Sequence, residues 1–116
     1  MKKILIVEDD VTFLGILSHA LRSQFEIYEA CDVNAALKYL ENISVDLICS
    51  DYNMPDGTGL ELLEQLHRSG KKIPFILMSG MEDSFVIHSV RLYGGTFCNK
   101  TDPNLLITIR NMINCE

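Results

Sequence analysis

In the segment Ile4-Leu5-Ile6-Val7-Glu8-Asp9-Asp10, four consecutive apolar residues are followed directly by three acids, and this segment indicates the fold class. A second apolar run, Phe75-Ile76-Leu77-Met78, is equally uninterrupted. Such continuous runs are typical of strands that are covered on both faces, whereas a strand with one face in water alternates apolar and polar residues. The two runs therefore predict parallel strands enclosed between two layers of helices.

Short strand-like runs alternate with segments of helical period along the rest of the chain. The predicted strands are residues 3–7, 26–30, 45–50, 73–78 and 96–99, and the predicted helices are residues 11–24, 33–42, 59–69, 83–92 and 103–114. Repeated βα units with right-handed crossovers form a doubly wound α/β domain with helices on both faces of a parallel sheet. We expect one such domain over residues 1–116.

The last predicted helix has a marked start and a clear apolar stripe. Asp102-Pro103 offers a capping carboxylate followed by proline at the first helical position, where a missing N–H costs nothing. The stripe, about one helix face wide, consists of Leu105, Leu106, Ile109, Met112 and Ile113. We expect this stripe to pack on the sheet and Ile107 to lie off it.

Composition excludes several classes of protein. The 116 residues carry 10 Lys plus Arg against 16 Asp plus Glu, a net charge of -6, which disfavours direct binding to nucleic acid. The four cysteines, Cys31, Cys49, Cys98 and Cys115, form no metal-ligand pattern and are interpreted as reduced thiols. No apolar run is long enough for a signal peptide or a membrane span, so we expect a cytoplasmic protein with no membrane contact.

Side chains that can bind ligands or take part in chemistry follow four of the five predicted strands. Glu8-Asp9-Asp10 follows the first strand, Asp51 the third, Ser79 the fourth and Lys100 the fifth. Each alone has a structural explanation as a helix cap, a turn residue or a solvated side chain. Because the carboxyl ends of parallel strands meet at one edge of a doubly wound sheet, we expect all of them to converge there.

Clustered carboxylates at this edge require positive charge. At about 4 Å and an effective dielectric constant near 20, each pair of like charges costs on the order of 4 kcal/mol. Lys100 supplies one positive charge, and the remaining acids describe a site for a hard divalent cation. Mg²⁺ fits best, because it takes few protein carboxylates and retains waters that a phosphoryl oxygen can replace.

The same acidic loop excludes the nearest look-alikes of this architecture. A flavodoxin-type domain holds the phosphate of FMN in the loop after its first strand, where Glu8-Asp9-Asp10 would repel it. The chain also has neither Gly-x-Gly-x-x-Gly nor a Gly-Lys-Ser/Thr phosphate loop. Flavin, dinucleotide and nucleoside-triphosphate binding are therefore not expected.

Four ordered motifs resemble those of bacterial response-regulator receiver domains over essentially the whole chain. They are the first strand with its acids (residues 4–10), the acceptor loop Asp51-Tyr52-Asn53-Met54-Pro55-Asp56-Gly57-Thr58-Gly59, the segment Ile76-Leu77-Met78-Ser79-Gly80 and the segment Phe97-Cys98-Asn99-Lys100. The resemblance implies a single-domain regulator similar to those of chemotaxis, with the flavodoxin-like strand order 2-1-3-4-5. It also implies a partner, either a sensor histidine kinase or a histidine phosphotransfer protein.

The resemblance further implies a role for each matching residue. Asp51 would accept the phosphoryl group, with Ser79 and Lys100 contacting its oxygens. Glu8, Asp9, Asp51 and the backbone carbonyl of Asn53 would hold Mg²⁺. Phe97 would be the aromatic that swings inward on phosphorylation, and a downstream protein would bind the face formed by the fourth helix, fifth strand and fifth helix. The domain would act only on its own Asp51 and would not be a true enzyme.

One departure from the family pattern concerns Lys100. The family usually has proline after this lysine, often with a cis bond between them, but here Thr101 follows. A cis bond before a residue other than proline costs about 2.5–4 kcal/mol, so we expect a trans bond.

Two rival functions stay open from the sequence. One is a Mg²⁺-dependent phosphohydrolase with an aspartate nucleophile, but its Asp-x-Asp pattern would need an acid where Asn53 stands. The other is a receiver-like interaction module that binds partners without being phosphorylated, for which the altered surroundings of Lys100 are the only support.

Overall fold

The structure is a computed structural model and describes residues 1–114. The prediction that Cys115 is a reduced thiol, and the last two residues of the predicted domain, lie outside the described residues. Cys31, Cys49 and Cys98 are free thiols, as predicted. Burial raises the pKa of the Cys49 thiol well above its ordinary value, which keeps that group protonated.

The described chain alternates strands and helices, with one short hairpin inserted. The strands are β1 (Lys3–Val7), β2 (Glu26–Ala30), β3 (Leu47–Asp51), β4 (Asn53–Met54), β5 (Gly57–Thr58), β6 (Phe75–Ser79) and β7 (Thr96–Asn99). The helices are α1 (Val11–Leu21), α2 (Val33–Asn42), α3 (Gly59–Arg68), α4 (Ser84–Leu92) and α5 (Leu105–Asn114). The five predicted strands are thus β1, β2, β3, β6 and β7.

The main sheet is parallel throughout, with the order β2-β1-β3-β6-β7. Counted over its five strands, this order is the predicted 2-1-3-4-5. The strand order therefore reverses between β1 and β3, whose carboxyl ends carry Glu8 and Asp51. A doubly wound sheet binds its ligands at such a reversal point.

Two apolar cores, one on each face of the sheet, explain the uninterrupted apolar runs. In β1, Leu5 and Val7 belong to the core under α2, α3 and α4, whereas Ile4 and Ile6 belong to the core under α1 and α5. All four residues are fully buried. Full burial of one aliphatic side chain contributes about 1.5–3 kcal/mol, so both faces of a central strand must be apolar.

Asp51 and Ser79 are the last residues of their strands, whereas the predicted strands ended one residue before them. β3 covers Leu47–Asp51 instead of residues 45–50, so Asp51 is its last residue and pairs with Met78. β6 covers Phe75–Ser79 instead of residues 73–78, because Pro74 has no N–H for a strand ladder. Both side chains are therefore held by the sheet and not by a loop.

Two helices differ from their predicted limits. α1 ends at Leu21 instead of Gln24, because the chain turns there and brings Phe25 into the core. α5 begins at Leu105 instead of Pro103, since Asp102 accepts the N–H of Asn104 and closes a turn before the helix. The apolar stripe of α5 faces the core and Ile107 is exposed, as predicted. Within the described residues, no helix has the length and apolar character needed to cross a bilayer.

The hairpin of β4 and β5, which lies in the loop after Asp51, was not predicted from the sequence. Asp56, at its tip, accepts the backbone N–H of Val33 at 2.8 Å and that of Asn34 at 2.9 Å. These are orphan donors at the start of α2, so the carboxylate fixes the hairpin against that helix. The two bonds, with that from Val33 the stronger, lower the pKa of Asp56.

Gly59 is required where α3 begins beside Asp51. A Cβ atom at this position would overlap the backbone carbonyl oxygen of Asp51 and lie 2.5 Å from Leu77 Cδ1. We predict that Gly59→Ala lowers the free energy of unfolding by about 1–3 kcal/mol, measured by urea denaturation, because the core must be overpacked. Gly15→Ala in α1 is the matched control, since its Cβ meets nothing within 4 Å, and it should stabilise by about 0.5–1 kcal/mol.

Asp56 should make the stability of the folded protein depend on pH in the acidic range. Because its folded pKa is depressed, its ionised form stabilises the protein above the ordinary pKa of about 3.9, and this contribution is lost as pH falls through the lower folded value. We predict that Asp56→Asn lowers the melting temperature at pH 7 and that the gap to wild type narrows towards pH ~3. Glu41→Gln, an equal charge change on the exposed side of α2, should not show this narrowing. A gap that is constant with pH would contradict the prediction.

Candidate functional site

Three carboxylates meet at the carboxyl edge of the sheet. One oxygen each from Glu8, Asp9 and Asp51 lies within 4.8 Å of the other two. Glu8 is fully buried and Asp51 is 8% exposed, whereas Asp9 reaches the solvent. The predicted convergence of the first and third strand ends is therefore present in the structure.

The Glu8 carboxylate is held by one backbone hydrogen bond and one ion pair. Its Oε2 accepts the N–H of Asp10 at 3.1 Å. Its buried Oε1 makes no hydrogen bond, although Lys100 Nζ lies 2.8 Å away in an ion pair. Burial raises the pKa of Glu8, with the nearby charge of Asp51 adding to the effect.

Lys100 is the one cation among these acids within residues 1–114. Its Nζ lies 2.8 Å from Glu8 Oε1 and 3.4 Å from Asp51 Oδ1. The ammonium group also lies 4.4 Å from the centre of the Phe13 ring, a cation–π contact. Burial by itself would lower the pKa of Lys100, but the pairing with Glu8 and the charge of Asp51 outweigh it and raise the pKa.

The donor set matches a hard divalent cation. Three clustered carboxylates face one ammonium, and the ligand atoms that the carboxylates offer are all oxygen. Oxygen ligands with room for water favour Mg²⁺ over transition metals. The residues therefore fit the predicted ion.

An open cavity of about 440 Å³ lies over Asp51. Its lining includes the predicted site residues Asn53, Ser79 and Lys100. Ser79 Oγ accepts the N–H of Met81 at 3.2 Å, which leaves its hydroxyl hydrogen available to a ligand. The backbone N–H of Lys100 donates to the Ser79 carbonyl at 3.0 Å, so the strand ends that carry these two residues are joined.

Phe97, the predicted switch residue, does not line this cavity. It is half-buried in β7 and packs against the core that contains Val86 and Val90 of α4. The peptide bond between Lys100 and Thr101 is trans, as predicted, and no peptide bond among the described residues is cis.

Two residues of this site were missed from the sequence. Phe13 faces Lys100 from α1, and Asn99 binds both Thr101 and Glu82 beside it. No motif signals Phe13, because its role depends on how α1 packs on the sheet. Asn99 carries a weak local signal, since asparagine two residues before a hydroxyl residue often accepts its backbone N–H.

Comparison with known proteins gives one family. The model of the response regulator receiver domain matches residues 4–109. Similar proteins include the alkaline phosphatase synthesis transcriptional regulatory protein PhoP of Bacillus subtilis, 32% identical over 85 residues (72% of this chain, 35% of PhoP). Another is the glycerol metabolism activator of Pseudomonas putida, 31% identical over 113 residues (93% of this chain, 51% of the activator). The chain thus spans about half or less of each of these two relatives.

Solved structures give the same result. The receiver domain protein of Methanospirillum hungatei, described as CheY-like, has a TM-score of 0.89 at 26% identity and covers 97% of this chain and 94% of its own. The chemotaxis response regulator CheY4 of Vibrio cholerae has a TM-score of 0.82 at 25% identity, with coverages of 97% and 98%. The sheet order, the acidic edge and the family match agree, and the chain belongs to the response regulator receiver domains of two-component signal transduction.

Proposed function

We propose that Asp51 is the phosphoacceptor of this receiver domain and that its phosphorylation controls binding to a partner. The observation that carries the proposal is the position of the Asp51 carboxylate. It lies at the base of an open cavity, 3.4 Å from the Lys100 ammonium and beside the acids of β1. The same proposal takes residues 1–116 as one domain.

The proposed reaction is phosphoryl transfer from a phosphohistidine. A carboxylate oxygen of Asp51 attacks phosphorus, a new O–P bond forms, and the N–P bond to the imidazole breaks. The imidazole leaves with the bonding electron pair. A water molecule later attacks the same phosphorus and releases inorganic phosphate. Positioning and positive charge supply most of the catalysis in such a transfer.

Two side chains would contact the transferred group. The Lys100 ammonium, already directed at Asp51, would pair with one phosphoryl oxygen, and the Ser79 hydroxyl would donate to another. Phe97 would act as the switch, because it packs against α4 on the same side of the sheet as Val86 and Val90. The chain acts on its own aspartate in this scheme and is not a turnover enzyme.

Mg²⁺ is the proposed cofactor. Glu8, Asp9 and Asp51 would hold it through carboxylate oxygens, with the backbone carbonyl of Asn53 as a further ligand. The bound ion would neutralise the negative charge of the transferring phosphoryl group. The residues of the chain itself place the nucleophile and exclude part of the solvent, since Glu8 and Asp51 are buried.

The proposed partners are a sensor histidine kinase or histidine phosphotransfer protein, and a downstream protein. The face formed by α4, β7 and α5 is the proposed downstream surface, because Phe85 and Leu92 on α4 and Ile107 on α5 are exposed apolar residues. Singly exposed apolar residues are common, but their presence on elements next to Phe97 supports this face. A cytoplasmic location, and the absence of nucleic-acid and membrane contacts, stay predictions.

Incubation with acetyl phosphate and Mg²⁺ tests the proposed function. We expect intact-mass spectrometry to show addition of one phosphoryl group to the wild-type protein and none to Asp51→Asn. Lys100→Ala should lower the rate of phosphorylation by about a hundredfold, because it removes a charged contact to the transferring group.

Asp46→Asn provides the control for the same chemical change, since Asp46 lies at the opposite end of β3 and binds the N–H of Lys3. That variant should be phosphorylated like the wild type. No phosphoryl addition to the wild type would favour the interaction module that works without phosphorylation. Repeated turnover of small phosphomonoesters, lost in Asp51→Ala, would instead identify a phosphohydrolase.

Titration with Mg²⁺ tests the proposed metal site separately. Mg²⁺ at ten times its dissociation constant should stabilise the wild-type protein by about 1.4 kcal/mol, seen as a higher melting temperature. Asp9→Asn should weaken this effect, because it removes one of the three clustered carboxylates.

Asp10→Asn is the matched control for that titration. Asp10 carries the neighbouring negative charge but caps α1, accepting the N–H groups of Thr12 and Phe13. Asparagine can keep this cap, so the response to Mg²⁺ should persist. Equal responses in wild type and Asp9→Asn would contradict the proposed ligand set.

A further inference from the structure

We propose that Asn99 is a positioning residue that holds the Lys100 ammonium at Asp51 and ties the Lys100 loop to the Ser79 loop. This inference rests on the proposed phosphorylation of Asp51. It concerns the last residue of β7, whose side chain lies outside the acidic cluster and does not line the cavity over Asp51.

Asn99 closes the backbone around Lys100. Its Oδ1 accepts the backbone N–H of Thr101 at 2.9 Å and the hydroxyl of Thr101 at 2.7 Å. The backbone carbonyl of Asn99 also accepts the N–H of Asp102 at 3.0 Å. The residue before Lys100 and the two residues after it are thereby joined, so the Cα–Cβ direction of Lys100 is fixed from both sides.

The same side chain reaches across to the loop after β6. Asn99 Nδ2 donates to Glu82 Oε2 at 3.2 Å. Ser79 and Asn99 are paired in the ladder of β6 and β7, so both loops leave the sheet at the same level. The Asn99 amide thus joins the loop that carries the Ser79 hydroxyl to the loop that carries the Lys100 ammonium.

A lysine at this site needs such support. The side chain of Lys100 has four rotatable bonds, and its ammonium must lie near Glu8, Asp51 and the Phe13 ring together. Thr101 lacks the ring that fixes φ in a proline, and the first proline of this segment is Pro103. The bonds from Thr101 to Asn99 restrict the backbone where no ring does. A misplacement of about 1 Å can cost a catalytic group up to a hundredfold in rate.

A purely structural role would have a different signature from a positioning role. If Asn99 only stabilises the loop, its loss lowers stability and affects the rate independently of Lys100. If it acts through Lys100, its loss has no further effect once the ammonium is gone, because coupled residues are not additive. The two roles are therefore separable by a double-mutant cycle.

The test compares wild type, Asn99→Ala, Lys100→Ala and the double variant, using acetyl phosphate at fixed Mg²⁺. We expect Asn99→Ala to lower the phosphorylation rate about tenfold, and the double variant to be as slow as Lys100→Ala alone. Asn42→Ala is the control, since the Asn42 side chain donates to the Lys38 carbonyl on α2. Thr101→Val, which removes the hydroxyl donor and keeps the N–H, should give a smaller loss in the same direction even if Asn99→Ala folds poorly.

A second measurement does not depend on phosphorylation. Labelling of lysine amines with acetic anhydride, followed by mass spectrometry, reports how well the Lys100 amine is held. We expect faster labelling of Lys100 in Asn99→Ala, with unchanged labelling of the exposed Lys38.

The outcomes separate this inference from the proposed function. An unphosphorylated wild type with faster Lys100 labelling in Asn99→Ala would overturn the proposed phosphorylation and keep the positioning of Lys100. A phosphorylated wild type whose rate is unaffected by Asn99→Ala, or whose two losses multiply in the double variant, would overturn the inference. Unchanged labelling of Lys100 would also overturn it.

Discussion

The carboxylates at one edge of the sheet repel one another, and the rest of the domain must compensate for this repulsion. Oxygens of Glu8, Asp9 and Asp51 lie within 4.8 Å of one another, and a like-charge pair at about 4 Å costs on the order of 4 kcal/mol at an effective dielectric constant near 20. A domain is stable by only about 5–15 kcal/mol, so this repulsion is a large fraction of the total. The two apolar cores must offset it, and Lys100 reduces it. Stability and cation binding are therefore linked at this edge.

The main features of the fold could be predicted because they follow from apolar runs. Both faces of β1 are buried, and only a strand between two helix layers needs Ile4, Leu5, Ile6 and Val7 together. The limits of α1 and α5 could not be predicted in the same way. They depend on where Phe25 enters the core and on a turn closed by Asp102, and both are tertiary or side-chain events. The hairpin after Asp51 has two residues in each strand, too few to produce a pattern.

The part of the site that consists of residues at the strand ends could be predicted. Parallel strands bring their carboxyl ends to one edge, so Glu8, Asp51, Ser79 and Lys100 could be placed together from spacing alone. Which atoms touch could not be derived, because it depends on side-chain direction. The 2.8 Å contact of Lys100 with Glu8, and the Phe13 ring beside it, depend on how α1 packs on the sheet and on where β7 ends beside β6. The proximity of these residues is observed in the structure, whereas their roles are proposals.

Under the proposed function, the sharing of one ammonium between two carboxylates would allow the site to respond to phosphorylation. Lys100 lies closer to Glu8 than to Asp51, although Asp51 is the group that would carry the phosphoryl group. Phosphorylation would add about -1.5 to -2 charges on that side. The balance of attraction on the ammonium would then shift from Glu8 towards Asp51. Because Asn99 joins the Lys100 loop to Glu82, next to the start of α4, such a shift would reach that helix through a hydrogen bond already present. The charge change and the surface of α4 would thus be connected by a few directed contacts, without a rearrangement of the sheet.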